Sequence, residues 1–152
     1  MPGSPRRFCE VTGLAGMFLA AFLAATPAPL PSEPVFLGLL AAGQAPWPLV
    51  IVASVGNTLG SCVTYALGRW AERLRHRRWF PLQPDTLART QGWWARWGLW
   101  SLLLSWAPGG DALVALAGLM RVPLWRFLLL VALAKTGRYL VLAGVVSAAL
   151  RI

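Results

Sequence analysis

The stretch Thr26-Pro27-Ala28-Pro29-Leu30-Pro31-Ser32-Glu33-Pro34 decides how this chain is read. Its four prolines lack backbone donors and push each preceding residue out of helical geometry. Apolar sequence lies on both sides, over 11–26 and 35–45. Crossing a ~30 Å hydrocarbon core takes roughly 20 helical residues. The first run is marginal and the second is about half a span. Together they predict a re-entrant hairpin with Glu33 at its tip and Pro31 and Pro34 as hinges. Broken backbone survives at membrane depth only where protein or water surrounds it.

The same layout returns later. Residues 99–107 and 112–120 are short apolar arms around Pro108-Gly109-Gly110-Asp111. Each hairpin is followed by a run long enough to cross, 47–68 and 124–150. The predicted fold is therefore all-α and integral to the membrane, with two oppositely facing re-entrant hairpins, each leading into a transmembrane helix. One crossing between the hairpins sets them on opposite faces, the topology of an inverted repeat. Residues 1–10 are expected as an N-terminal tail and 11–150 as one membrane domain: hairpin 11–45, span 47–68, basic interfacial loop 69–98, hairpin 99–121 and span 124–150.

Composition supports the membrane. Of 152 residues 57% are hydrophobic and 12% charged, about half the charge of an ordinary soluble domain. Basic residues outnumber acidic ones by 14 to 5. They concentrate outside the apolar runs, chiefly at 69–96, which suits a cytoplasmic loop better than a nucleic-acid surface. No nucleic-acid partner is expected. This orientation leaves Arg6 and Arg7 on the opposite side, and the larger cluster is expected to dominate. Residues 1–29 also carry signal-peptide features, but apolar sequence resumes beyond Pro34. The Trp residues gather near span ends, as in an aromatic belt. Trp93, Trp97 and Trp100 recur at helical spacing, as expected of a segment lying in the headgroup layer.

Cys9 and Cys62 make no disulfide framework, and the single His76 has no metal-ligand neighbours. No metal or cofactor is expected. Nor does the chain offer a nucleophile–base pair of hydrolytic type, so an enzyme is not expected.

Transport chemistry has better candidates. Glu33 and Asp111, two of five acidic residues, fall at the breaks in apolar sequence. A carboxylate at that depth must be paired, protonated or water-lined. Lys135 and Arg138 share a face of the last span. We expect Glu33 and Asp111 to converge near the midplane, compensated by Arg138 and Lys135. The plainer alternative is that Asp111 caps the following arm and Glu33 lies at the interface. Asn57, inside the first full span, needs hydrogen-bond partners there. Gly56, Gly60 and Thr64 form a small-residue face for close helix packing. Pro108, Gly109 and Gly110 lack the Gly-Lys-Ser/Thr ending of a phosphate loop and read as a hinge.

These segments in order resemble the YqaA branch of the DedA superfamily, the VTT-domain group also called SNARE-associated. The resemblance rests on Pro31-Ser32-Glu33, Gly56-Asn57-Thr58-Leu59-Gly60-Ser61 with Tyr65 and Gly68-Arg69, and Trp97-Gly98. It continues through Leu103-Leu104-Ser105-Trp106-Ala107-Pro108-Gly109-Gly110-Asp111, Ala117-Gly118, Arg121-Val122-Pro123-Leu124-Trp125-Arg126 and Gly137-Arg138-Tyr139. It covers roughly residues 15–145. The resemblance implies two facing re-entrant hairpins and a multi-pass protein of the bacterial inner membrane linked to envelope homeostasis. It further implies movement of a lipid or polyprenyl-phosphate carrier between leaflets, some members coupling this to protons. Glu33 then matches the family's first-hairpin acid and Arg138 a basic residue of the last span. One departure stands out: Ser105-Trp106-Ala107 occupies the place where many members carry an arginine before Pro-Gly. If that arginine binds phosphate or couples protons, the trait is missing here or falls to Lys135. Membrane lipids, anionic or polyprenyl-phosphate, are the expected partners. A chain without the flanking helices of longer members is also expected to associate with its own copies. A proton- or ion-coupled solute transporter and a non-transporting scaffold are the competing functions.

Overall fold

The computed structural model of the protein describes residues 5–27, 30–74, 84–107 and 110–149. The described elements are six α-helices: α1 (Pro5–Ala24), α2 (Glu33–Ala41), α3 (Pro46–Arg73), α4 (Pro84–Ser101), α5 (Asp111–Leu119) and α6 (Leu124–Ala149). A 3-10 turn over Leu102–Trp106 joins the end of α4. There is no strand among the described residues. Three helical stretches are long and apolar enough to cross a membrane: Arg7–Ala24, Pro46–Arg73 and Leu124–Ala149.

Several boundaries differ from the sequence expectation. The expected tail is helical from Pro5, because proline is well tolerated in a first helical turn and no breaker interrupts the run to Ala24. With 20 residues, α1 has the length of a full span. Residues 69–73, expected as loop, continue α3. There Arg69 donates a hydrogen bond to the Tyr65 hydroxyl one turn back (3.1 Å), which favours the helical path. Residues 84–98 of the same expected loop belong to α4, which opens on Pro84. The arm expected over 99–107 is divided between the last turn of α4 and the 3-10 turn, where Ser101 Oγ donates to the Gly98 carbonyl (2.6 Å).

Two long helices carry clear burial stripes. On α6 every fourth residue is buried: Phe127, Val131, Lys135, Tyr139 and Ala143. Leu129, Leu133, Val141 and Val145 are exposed, as a lipid-facing surface requires. On α3 the exposed series is Trp47, Ile51, Val55, Leu59, Val63 and Leu67. A four-residue step keeps each set on one slowly winding face.

The chain divides into two compact units. The first comprises Met1–Gly60 with Lys135–Ile152, the second Ser61–Ala134. The core of the first joins Met17, Ala21, Phe36, Leu40, Leu49, Val50, Ala53 and Tyr139. Here the small-residue face of α3 lies directly on α1: a Cβ at Gly56 would stand 2.7 Å from the Phe18 carbonyl oxygen, and one at Gly60 would strike that of Phe22. In the second unit the core joins Tyr65, Leu102, Val114, Ala117, Val122, Phe127 and Val131. Tyr65 stacks on Phe127 (ring centroids 4.4 Å apart) and donates to the Val122 carbonyl at 2.5 Å.

Each unit contains the same local pattern. A nine-residue helix begins on an acid, Glu33 in α2 and Asp111 in α5. Its end is followed by a residue with positive φ, Gly43 (85°) or Arg121 (55°). The next long helix then starts, at Pro46 or Leu124. Each pair of landmarks is separated by the same 78 positions.

Candidate functional site

The polar groups of the first unit meet at the start of α2. Ser32 occupies the position before the helix, where serine commonly caps free backbone amides. It makes no side-chain cap here. Its Oγ instead lies 2.9 Å from the Tyr139 hydroxyl of α6, and either oxygen can donate. Asn57 of α3 donates from Nδ2 to the same hydroxyl (3.1 Å). Phe36, one turn into α2, packs its ring against Tyr139 with centroids 5.1 Å apart. Ser32, Asn57 and Tyr139 are all essentially fully buried.

Beside this chain Glu33 and Arg138 form an ion pair. Consecutive residues thus engage consecutive residues: Ser32-Glu33 grips Arg138-Tyr139. Both charged side chains remain partly accessible, Arg138 at 20% and Glu33 at 30%. Glu33 also stands in the first turn of α2, where the helix dipole favours a negative charge. Pro34 sits beside it in that turn, where its missing N–H leaves no helical bond unmade.

Asn57 is bonded on one side only. Its Oδ1 is buried without a partner among the described residues, as is Ser54 Oγ one turn earlier on α3. An unmet buried polar group costs about 1–3 kcal/mol.

Of the residues expected to act, the structure joins Glu33 directly to Arg138, and brings Asn57 into the same cluster through Tyr139. Lys135 is buried on the stripe of α6 one turn before Tyr139, with 2% exposure. Asp111 belongs to the second unit, where it opens α5. Pro31 precedes Ser32 in irregular backbone. Gly110 is a site of close approach, since a Cβ there would stand 2.6 Å from Ser105 Cα. Pro108 and Gly109 lie outside the described residues. Sequence reasoning passed over Tyr139 and Ser32 as participants. The signal was a tyrosine deep in an apolar span, whose hydroxyl needs a partner.

The second unit has its own polar contacts. Arg121 donates from Nε (2.9 Å) and Nη2 (2.7 Å) to one oxygen of Glu72. Glu72 lies on the last turns of α3 and Arg121 just ahead of α6, so the pair ties those two helix ends together.

Long apolar helices with a charged, hydrogen-bonded cluster beside a broken segment define an integral membrane protein. The VTT domain family model matches residues 30–148, and the chain belongs to that family, within the DedA superfamily. It is 37% identical over 137 residues to proteins named inner membrane protein YqaA from Escherichia coli (strain K12) and Shigella flexneri, covering 89% of this chain and 92% of each. It is also 35% identical over 144 residues to an uncharacterized protein of Haemophilus influenzae, covering 89% of this chain and 88% of that one. No solved structure matches it.

Proposed function

We propose that the protein moves a lipid, either an anionic phospholipid or a polyprenyl-phosphate carrier, between the leaflets of a bacterial inner membrane and so serves envelope homeostasis. The observation that carries this reading is the Glu33–Arg138 ion pair at the start of α2, braced by Ser32, Tyr139 and Asn57. Charge inside an apolar span is expensive and is kept where it works. Two relatives bear inner-membrane names, which supports the location.

In this account α2 and α5 are inner arms of two re-entrant hairpins. The shared 78-position offset is the trace of an inverted repeat. Pro31, Pro34 and Gly110 let those arms shift. Arg138 exchanges Glu33 for a headgroup phosphate, since a guanidinium matches either oxyanion with paired hydrogen bonds. Protonation of Glu33 releases Arg138 to the phosphate, and loss of that proton restores the ion pair and ejects the headgroup. Asn57 and Lys135 supply further polar contacts, and Asp111 is the corresponding acid of the second hairpin.

Vesicles holding only this protein and a trace of fluorescent phospholipid provide the test. Faster exchange of the label between leaflets than in protein-free vesicles is the expected result. A pH change or a current without lipid exchange would instead assign the same carboxylate to solute transport. Absence of all three would leave the protein without a transport role.

A further inference from the structure

The second unit carries a polar feature of its own, built without Glu33 or Arg138. Residues Trp94–Trp100 of α4, the 120–123 turn and Arg126 of α6 surround an open cleft of about 370 Å³. Its chemistry is uniform in sign: Arg96, Arg121 and Arg126 line it, and no lining residue is acidic. The aromatic content is equally distinctive, since Trp94, Trp97 and Trp100 share the lining. Trp97 and Trp100 are 58% and 71% exposed. Arg126 also lies over the ring of Trp125, 5.1 Å from its centroid, a cation–π arrangement that orients the guanidinium.

The position of the cleft fits one kind of ligand. Leu124 begins a helix long enough to cross the membrane, so residues 120–126 mark where that span meets the headgroups. The Glu72–Arg121 pair ties the end of α3 to the same level, and Arg69 and Arg73 lie on those last turns of α3. Exposed indoles in this setting seat themselves at the membrane–water interface. Guanidiniums recognise phosphate through paired donors. Glu72 partly neutralises Arg121, leaving the charge of Arg96 and Arg126 to attract an anion.

We propose that this cleft is a binding site for the phosphate headgroup of an anionic phospholipid, with Arg96 and Arg126 receiving the phosphate and Trp97 and Trp100 holding α4 in the headgroup layer. The site anchors α4 and does not depend on the translocation reading, because it uses none of the residues assigned there.

The test uses the full chain in nanodiscs of equal parts phosphatidylglycerol and phosphatidylcholine, with lipids retained on the released protein counted by native mass spectrometry. Wild type is expected to retain phosphatidylglycerol preferentially. Each basic residue near an anionic surface contributes roughly a factor of five, so R96Q/R126Q is expected to reduce the preference about twenty-five-fold. The variant R7Q/R89Q removes the same net charge from exposed positions outside the cleft and is expected to lose clearly less of the preference than R96Q/R126Q. Equal preference in wild type and R96Q/R126Q, or equal loss in both double variants, overturns the site. Inorganic phosphate is added in a second arm: displacement of the retained lipid by millimolar phosphate overturns its assignment to a lipid, and retention supports it. Lipid exchange measured on R96Q/R126Q keeps the two proposals apart, because transport is expected to persist when the headgroup preference is lost.

Discussion

Arg138 of the last helix holds the carboxylate of Glu33 at the first turn of α2, one residue along from the hydrogen bond between Tyr139 and Ser32. The pair lies between two energetic limits. An exposed ion pair is worth about 0–1 kcal/mol, whereas breaking a buried one costs about 3–5 kcal/mol. With side chains 20% and 30% accessible, we expect E33Q or R138Q alone to cost about 1–3 kcal/mol. The double variant E33Q/R138Q is expected to cost less than the sum of the two. Thermal melts in detergent check this, and strict additivity would show that the pair carries no coupling.

Tyr139 supports both Ser32 and Asn57, so Y139F strands two buried polar groups at once. A loss of about 1–3 kcal/mol follows from one unmet group, and the larger end of that range is expected here. N57A removes only one partner and is expected to cost less. Paired unfolding measurements decide the order; an N57A defect exceeding that of Y139F contradicts the arrangement.

Gly60 and Gly68 test the packing of α3. A methyl group at Gly60 would strike the Phe22 carbonyl, and one at Gly68 that of Ala115. Overpacking of this kind typically costs about 1–3 kcal/mol. G60A and G68A are therefore expected to lower the melting temperature, while G137A, with open space around its Cβ position, is expected to leave it unchanged. Equal stability of all three variants would rule out the close approach.

Arg121 is a non-glycine residue in left-handed backbone, with φ of 55°. That conformation costs roughly 1–2 kcal/mol. Glycine would remove this strain but also the ion pair to Glu72, so R121G is expected within about 1 kcal/mol of wild type. R121A keeps the strain and loses the pair, and is expected to be the least stable of the three. Urea or thermal unfolding ranks them, and R121A at wild-type stability would contradict the account.

The sequence revealed much of this architecture through simple physical contrasts. The start of α2 was legible because Pro31 and Pro34 break an apolar run beside an acid, and the start of α5 because Gly110-Asp111 does the same. The long helices α3 and α6 were legible from uninterrupted apolar length. Helix ends were harder. Residues 1–10 read as a tail although α1 opens at Pro5, and the arginines at 69 and 73 read as a loop although they continue α3. Charge marks where a helix leaves hydrocarbon, not where its backbone bonding stops. Within the site, Glu33 and Arg138 stood out as charges in apolar surroundings. Ser32 and Tyr139 did not, because an ordinary serine at a helix start suggests a cap, and only the fold shows its hydroxyl turned toward a tyrosine far along the chain.

The most direct test of the central claim is leaflet-to-leaflet exchange of labelled phospholipid in vesicles containing equal amounts of wild type or E33Q. Loss of the Glu33 carboxylate is expected to return exchange to the protein-free rate, with wild type well above it. E33Q moving lipid as fast as wild type, both above that baseline, would contradict the role assigned to the Glu33–Arg138 pair.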